Sequence, residues 1–379
     1  MKTPTVNQPL LKLLPNRARR NYTGGRILDE LQKLPHPADG IMPEDWLAST
    51  TPASSTGLPP VENEGLGRVV DAAGNEHFLA ALFAADGEYY LGKKHIERHG
   101  PHLGYLAKLL DTSMRLQTQA HPTKEFARAR MGKPWGKLES YVILGARPGV
   151  EGCLRLGFQR APSKSEWRDI ILTQDIARMD ACFEPIPVRA GEVWLVPGGT
   201  PHALGAGLLL LEVQEPSDLV VRCEFECEGL VVPPDARYMR RDLDFCLDVF
   251  DYTQRTPAEI RDLCRLEPRI AARDAAHEEA VMVPWGRTQC FEVRRLRAKK
   301  NFRWAQAGCA RLVIVTGGAG VVRCGGVACE VFPGARLFLA AAAEAVDVEV
   351  GMKVGVNNAN AAGDGAPLEM LVCQAEGGD

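Results

Sequence analysis

The sequence predicts a mainly β protein, built as barrels or sandwiches with helical segments added. Three observations support this class. Short apolar runs are separated by glycine and proline turns along much of the chain, as strands are. Strand and helix patterns do not alternate as the parallel βαβ units of an α/β protein would. Residues 193–222 read as a strand, a Pro-Gly-Gly-Thr turn and a second strand, with His202 directly after the turn.

Length and composition limit the possible classes of protein. At 379 residues the chain should form two domains, or one large β architecture with insertions. The formal net charge of −3 argues against a nucleic-acid partner or a polybasic membrane surface. The apolar runs are too short to span a membrane, and the N-terminus lacks a hydrophobic signal region. Eleven cysteines without CxxC pairs fit reduced thiols, so we expect a cytoplasmic protein.

The first third of the chain reads as coil with short helices. Amphipathic helices are predicted near 26–31 and 77–86. Residues 43–60 are rich in Ser, Thr and Pro, so we expect irregular coil there, with Trp46 holding it to the core. The basic residues Arg17, Arg19 and Arg20 are interpreted as a solvated face.

Polar side chains alternate with apolar ones at two places that look like strands. Gln117, Gln119 and His121 share one face of a predicted strand, because side chains two apart point the same way. Lys137 and Glu139 share a face in the same manner. Such a face either meets solvent or lines a site.

The remainder of the chain divides into a helical part and a second β part. The period becomes helical between 236 and about 268, and Thr256-Pro257 is a typical helix start. We assign 1–235 to an N-terminal unit with an extension, 236–285 to a helical insert and 286–379 to a C-terminal β unit. The C-terminal unit has no histidine, since His277 is the last in the chain, so we expect it to bind no metal. Residues 358–366 read as a loop.

Four residues offer a mixed nitrogen and oxygen ligand set. A single histidine beside a strand is usually an ordinary core or surface residue, so the argument depends on the whole set. One amide oxygen, two imidazoles and one carboxylate suit zinc and tolerate manganese, iron or cobalt. A set without thiolates, with a position left to water or substrate, is typical of catalytic metal sites. The four are Gln119, His121, Glu139 and His202.

The segments around these residues resemble a known family. They are QAHP at 119–122, GKLE at 136–139 and GGTPHALGAGLLLLEVQEPSDLVVR at 198–222, with weaker echoes in YTGG at 22–25 and EDW at 44–46. In order and approximate spacing they resemble type I mannose-6-phosphate isomerases of the cupin superfamily, over most of the first two thirds of the chain. The resemblance implies two jelly-roll-like cupin barrels with a helical insert, the N-terminal one catalytic and the C-terminal one metal-free.

The resemblance also implies an activity and roles for individual residues. The activity is interconversion of mannose 6-phosphate and fructose 6-phosphate, with zinc held by Gln119, His121, Glu139 and His202. Arg222 matches the family's active-site arginine, and its charge would steady an enediolate or hold an anion. Lys108 and Lys137 match lysines of the family pocket, where they would bind phosphate or lend a proton.

Glu212 and three departures from the family pattern leave questions open. Glu212 lies among leucines, where its pKa should rise, so it is a candidate base or else a structural partner of Arg222. Gln117 stands where the family has a small hydroxyl residue that touches phosphate, and we count it as substrate-binding. PTKE replaces PDDE after His121, and Ser-Tyr-Val replaces Trp-Tyr-Ile after Glu139.

Alternatives to this function remain at this point. The protein is expected to act on a small sugar phosphate as a monomer or homodimer, in carbohydrate metabolism, with no nucleic-acid or membrane partner. One alternative is a metal-dependent isomerase or epimerase of another sugar, phosphorylated or not. A second is a sugar-binding cupin without turnover, and a third is a metal oxygenase.

Overall fold

The computed structural model describes residues 6–53, 58–305, 308–351 and 366–375. The strands within these ranges are, in chain order, β1 (Leu10–Leu13), β2 (Arg17–Ala18), β3 (Glu44–Leu47), β4 (Arg68–Val70), β5 (Glu76–Phe78), β6 (Leu106–Asp111), β7 (Gln119–Ala120), β8 (Glu139–Ala146), β9 (Cys153–Leu156), β10 (Ile186–Pro187), β11 (Val193–Val196), β12 (His202–Leu204), β13 (Leu208–Gln214), β14 (Val221–Arg222), β15 (Glu226–Cys227), β16 (Leu230–Val231), β17 (Arg265–Leu266), β18 (Arg269–Arg273), β19 (His277–Val283), β20 (Glu292–Ala298), β21 (Phe302–Ala305), β22 (Arg311–Gly317), β23 (Gly320–Cys324), β24 (Val327–Val331), β25 (Arg336–Leu339), β26 (Ala345–Val350) and β27 (Leu368–Gln374).

The α-helices of the same ranges are short. They are α1 (Arg26–Leu31), α2 (Leu79–Ala85), α3 (Gly87–Leu91), α4 (Lys93–His99), α5 (Lys124–Met131), α6 (Lys164–Thr173), α7 (Ile176–Asp180), α8 (Leu243–Cys246), α9 (Pro257–Cys264) and α10 (Trp285–Thr288), with 3₁₀ turns at Pro234–Ala236 and Leu247–Val249.

The strands assemble into four main sheets, which we call A to D. Sheet A has the order β18-β19-β20-β27-β22-β25-β1-β4-β5, and sheet B has the order β17-β11-β8-β13-β6-β3-β2. Sheet C has the order β10-β9-β12-β7-β14, and sheet D has the order β21-β26-β23-β24. The mainly β class predicted from the sequence is confirmed, and the sheets face each other in two pairs, A with D and B with C.

The sheets stack in the order D, A, B, C, with helices on the outer face of C. One apolar core lies between D and A, a second between A and B, and a third between B and C. A fourth core packs α6, α7 and α8 against sheet C through Trp167, Met179 and Leu243. Sheet B is therefore covered on both faces.

Alternation along the strands of sheet B decides which side chains face sheet C. On β13, Leu211 and Val213 belong to the core shared with sheet A, whereas Leu210 belongs to the core shared with sheet C. Glu212 lies on the same face as Leu210, because side chains two apart share a face. The same alternation turns Lys108 on β6 toward sheet C. Polar groups are thus brought into the gap between B and C.

Several local predictions are confirmed. Helix α9 begins after Thr256 with a capping box in which Thr256 and Glu259 bond each other's backbone N–H groups, as the Thr-Pro start indicated. Helices α1 and α2 also form where the pattern predicted helix. The residues predicted as a loop at 358–366 lie almost entirely outside the described ranges.

Two local predictions are wrong. The interpretation of 43–60 as surface coil fails at its start, where Glu44–Leu47 forms the fully buried strand β3 between β6 and β2. Trp46 does anchor this segment, as predicted, with 1% of its surface exposed. Residues 269–273 and 277–283, which we assigned to the helical insert, form strands of sheet A. The insert's helices end at Cys264, apart from the single turn of α10.

Two further findings concern membrane spans and disulfides. Within the described ranges, helices fall short of the length and apolar character needed to cross a bilayer. The cysteines of these ranges form no disulfide.

Candidate metal centre

Three side chains converge in the gap between sheets B and C. His121 follows β7, His202 opens β12, and Glu139 opens β8. One ligand atom from each lies within 4.8 Å of the other two. Glu139 Oε1 is 3.1 Å from His121 Nε2, and Glu139 Oε2 is 3.5 Å from His202 Nε2. All three residues are at most 2% exposed, so the group is isolated from bulk water.

Backbone carbonyl groups fix the orientation of both imidazoles. His121 Nδ1 lies 2.8 Å from the carbonyl oxygen of Leu219, and His202 Nδ1 lies 2.9 Å from that of Thr200. A carbonyl can only accept, so each Nδ1 carries a proton, and in a neutral imidazole Nε2 is then the atom with the free lone pair. This is the usual arrangement of histidines that bind metal ions through Nε2.

Gln119 lies beside this group, on β7, two residues before His121 and next to strand β12, which carries His202. Its Cα is in register with those of His202 on β12 and Arg222 on β14. Its side-chain nitrogen is 3.4 Å from His202 Nε2, and rotating the amide would present its oxygen there instead. The structure thus brings together all four residues that the sequence proposed as ligands.

The glycine turn before His202 is required by close packing. A Cβ at Gly198 would lie 2.7 Å from Thr123 Cα and 2.8 Å from the Pro122 carbonyl oxygen, too close for any side chain. The adjacent Gly199, at φ 87°, donates its N–H to the carbonyl oxygen of His121 at 2.6 Å. The turn therefore packs directly on the His121 segment and sets the separation of the two histidines.

The electrostatics of the group favour a positive charge in its centre. Burial lowers the pKa of His121 to about 3, with Lys137 adding to the effect, so its imidazole is neutral. Burial alone would raise the pKa of Glu139, but Lys137 and His121 outweigh it and hold that pKa well below its usual value. The Lys137 ammonium is hydrogen-bonded to Glu139 Oε1 and lies 3.2 Å from His121 Nε2. A cation thus already contacts two of the three ligand groups, and the set suits a divalent metal ion.

A second group of charges surrounds Lys108 in the same cleft. Lys108 Nζ donates to Glu212 Oε1 at 3.2 Å and lies 4.0 Å from Glu44 Oε2. Burial alone would lower the pKa of Lys108, but the two carboxylates outweigh it and raise that pKa. Burial raises the pKa of Glu212 to about 7, despite the opposing charges of Lys108 and Lys137. Glu212 is therefore poised to exchange a proton near neutral pH.

Arg222 and Gln117 complete the predicted residues and also line the cleft. Arg222 Nη1 donates to the carbonyl oxygen of Ala236 at 2.7 Å, and burial lowers the pKa of its guanidinium. Gln117 Nε2 donates to the carbonyl oxygen of Asn21 at 2.7 Å. The alternative pairing of Glu212 with Arg222 is wrong, because the cations within 4 Å of Glu212 in the described ranges are Lys108 and Lys137.

The sequence analysis missed a buried group on the N-terminal side of the cleft. Glu44 accepts hydrogen bonds from Tyr22 Oη at 2.6 Å, Trp46 Nε1 at 2.6 Å and Arg20 Nε at 2.8 Å. Although Glu44 is buried, Arg20 and Lys108 lower its pKa to about 2. The interpretation of the basic N-terminal residues as a solvated face is wrong, since the Arg20 side chain is only 10% exposed. The echoes YTGG and EDW were the available signal for Tyr22 and Glu44.

Tyr141 is another cleft residue that the sequence analysis did not single out. It lies two residues after Glu139 on β8 and donates its hydroxyl proton to Glu139 Oε2. Burial raises the pKa of the phenol well above its usual value, so the group remains a neutral donor.

Comparisons with known proteins lead to one group of enzymes. No protein-family model matches the chain. The chain is 38% identical over 117 residues to a mannose-6-phosphate isomerase of Streptococcus mutans, and 32% identical over 123 residues to one of Bacillus subtilis. These matches cover 31% and 32% of this chain but only 35% and 37% of the relatives' length.

Solved structures extend the likeness to the whole fold. The mannose 6-phosphate isomerase of Bacillus subtilis superposes with a TM-score of 0.70 at 18% identity, covering 97% of this chain and 99% of that one. A zinc-bound mannose 6-phosphate isomerase superposes with a TM-score of 0.69 at 15% identity, covering 97% and 100%. The resemblance seen in the sequence is confirmed, and the fold is that of these enzymes.

Proposed function

We propose that the protein is a metal-dependent aldose-ketose isomerase that interconverts mannose 6-phosphate and fructose 6-phosphate through an enediol. The main observation in support of this proposal is that a buried His-Glu-His group and a carboxylate with a pKa of about 7 line one cleft. The sequence relatives, which bear this enzyme's name, support the substrate.

Zinc is the metal we propose, held by His121, Glu139 and His202 with Gln119 beside them. Two neutral imidazoles and a carboxylate are common zinc ligands, and a solved neighbour is described as zinc-bound. Manganese, iron or cobalt would be accepted by the same donors. A divalent ion held here supplies a Lewis acid for the sugar oxygens that gain negative charge.

Glu212 is the base we propose for the proton that moves between C1 and C2. In its carboxylate form it can take a proton from carbon, and its pKa of about 7 lets it return that proton near neutral pH. Lys108, 3.2 Å away, remains an ammonium. Its positive charge balances the negative charge of Glu212 whenever Glu212 has lost its proton. Burial of both residues keeps the proton from exchanging freely with bulk water.

Arg222, Lys137 and Gln117 are proposed to orient the sugar phosphate. Arg222 brings a fixed positive charge to the cleft, and in the described ranges no carboxylate lies within salt-bridge distance of it. Its guanidinium therefore remains able to hold an anion or to stabilise the enediolate. Lys137 can turn from Glu139 toward Glu212, whose Oε1 is 3.8 Å away, when a metal takes its place. Gln117 would offer its amide to the phosphate or to a hydroxyl group.

The division into units, the location in the cell and the oligomeric state remain proposals. The N-terminal unit, which supplies sheet C and all of sheet B except β17, would be catalytic, and the C-terminal unit, which supplies four of the nine strands of sheet A and all of sheet D, would bind no metal. We propose a cytoplasmic enzyme that works as a monomer or homodimer. Fractionation and light scattering would test these two points.

The test is turnover of mannose 6-phosphate by the zinc-loaded protein, followed by the appearance of fructose 6-phosphate. His202→Ala removes a ligand and should abolish both zinc retention and turnover. His36→Ala, at an exposed position away from the cleft, is the matched control and should change neither. The proposal is overturned if the loaded protein leaves mannose 6-phosphate unchanged, or if His202→Ala is as active as the parent.

A panel of free and phosphorylated sugars tests the identity of the substrate. Conversion of an unphosphorylated sugar in preference to mannose 6-phosphate would indicate that Gln117 and Arg222 recognise something other than phosphate. Growth of a strain that lacks mannose-6-phosphate isomerase, when it expresses this chain, would support the proposed reaction in cells.

A further inference from the structure

We infer that Tyr141 is a positioning residue for the metal ligand Glu139, an inference that rests on the proposed metal site. Glu139 and Tyr141 are two apart on β8, so both side chains face the cleft. The phenol reaches back along the strand, and its hydroxyl donates to Glu139 Oε2 at 2.5 Å. The partner of this hydroxyl is therefore one of the three converging ligand groups.

The two oxygens of Glu139 have different neighbours. Oε1 lies 3.1 Å from His121 Nε2 and accepts from Lys137, whereas Oε2 lies 3.5 Å from His202 Nε2 and accepts from Tyr141. Because Lys137 contacts the same atoms that a metal ion would, its contact cannot persist once the ion binds. The hydrogen bond from Tyr141 comes from the same strand as Glu139, so it can remain when a metal ion binds. It then holds the Glu139 carboxylate in one rotamer.

The position of Tyr141 in the sheet makes its ring rigid. Its Cα is paired with Trp194 on β11 and with Glu212 on β13, in the interior of sheet B. The side chain is 2% exposed and packs in the core between sheets B and C. A buried ring on a central strand has little freedom, so its hydroxyl is a fixed donor. Partners that orient a ligand in this way typically change metal affinity or activity by roughly 10- to 100-fold when removed.

The hydroxyl group of Tyr141 is an uncharged donor on the cleft face of β8. It adds a neutral donor to a carboxylate that already lies among cations, and so orients Glu139 without adding charge.

The test is Zn²⁺ affinity of the metal-free protein, measured by competition with a chromophoric chelator. Tyr141→Phe removes only the hydroxyl and should weaken Zn²⁺ binding about 10-fold or more. The matched control is Tyr105→Phe, because Tyr105 is equally buried but donates to the Cys373 carbonyl oxygen on the far side of sheet B. That variant should bind Zn²⁺ as the parent does. Equal affinities for the parent and Tyr141→Phe would overturn the inference.

Two further measurements separate positioning from a general loss of stability. In a Glu139→Gln background, Tyr141→Phe should bring no additional loss of Zn²⁺ affinity, because its partner is already changed. In Co²⁺-substituted protein, the visible spectrum should shift in Tyr141→Phe but not in Tyr105→Phe. The inference would be contradicted if Tyr141→Phe lowered Zn²⁺ affinity as much in the Glu139→Gln background as in the parent. It would also be contradicted if the Co²⁺ spectra of the parent and Tyr141→Phe were identical.

None of these readouts depends on turnover. A protein that fails to convert mannose 6-phosphate but loses Zn²⁺ affinity in Tyr141→Phe would overturn the proposed function and keep this inference. If the protein converts the substrate but its Zn²⁺ affinity is unchanged by Tyr141→Phe, the proposed function is kept and this inference is overturned.

Discussion

Replacing Glu212 by Gln should stabilise the metal-free protein at alkaline pH. The pKa of Glu212 is raised from 4.5 to about 7 in the folded state, mainly by burial. A carboxyl group whose pKa is higher in the folded than in the unfolded state favours folding while it is protonated. This contribution to stability is complete below the unfolded-state pKa of 4.5 and is lost as the pH rises through about 7. Glutamine resembles the protonated acid and does not ionise, so the variant avoids this loss.

The size of the effect follows from the two pKa values. Full ionisation of Glu212 costs the folded state about 3 kcal/mol, because each pKa unit is about 1.4 kcal/mol. At pH 5 most of this cost is absent, since the folded protein still holds the proton. The stability of Glu212→Gln relative to the parent should therefore rise by about 2 to 3 kcal/mol between pH 5 and pH 8. The same change should lower turnover by roughly 10²- to 10⁴-fold if Glu212 is the base.

The assay is urea unfolding of both metal-free proteins at several pH values. Glu224→Gln is the control with the opposite sign, because Glu224 is also buried but pairs with Arg115, which with other donors holds its pKa low. That variant should be less stable than the parent at pH 8, with a difference that shrinks as the solution is acidified. A relative stability of Glu212→Gln that is the same at pH 5 and pH 8 would refute the raised pKa and remove the basis for Glu212 as base.

Two other predictions concern the charges around the cleft. Glu44→Gln leaves Arg20 and Lys108 buried beside a neutral partner, so the free energy of unfolding should fall by about 3 to 5 kcal/mol, and an unchanged denaturant midpoint would contradict this. Lys137→Met removes a positive charge 3.2 Å from His121 Nε2, so Zn²⁺ should bind about 10-fold more tightly while turnover falls. Chelator competition checks the affinity, and weaker Zn²⁺ binding in Lys137→Met would show that the ammonium does not compete with the metal.

Much of the cleft could be predicted because it depends on local periodicity. Alternation alone placed Gln117, Gln119 and His121 on one face, and all three line the cleft. The Pro-Gly-Gly-Thr turn also marked the start of β12 at His202. These features need only neighbours in sequence, so they are readable without knowledge of which strands pair.

What could not be predicted depends on pairing between distant strands. Strand β3 is hard to recognise because acidic residues are poor strand formers and Ser, Thr and Pro follow it. Its burial between β2 and β6 overrides those preferences and brings Glu44 to Arg20 and Lys108. The register of β13 against β6 places Glu212 opposite Lys108, 104 residues away. No local sequence pattern shows that Glu212 pairs with Lys108 rather than with Arg222.

The stacking of sheet B between A and C has a consequence for how the protein can be divided. Strand β1, at the start of the chain, lies between β25 and β4 in sheet A, and the core between A and B draws side chains from both ends of the sequence. A fragment ending near residue 285 would expose a large apolar surface of sheet B to water and should aggregate when expressed alone. The C-terminal part of the chain, although it supplies none of the four candidate ligands, provides strands of the sheet that covers sheet B on the face away from them.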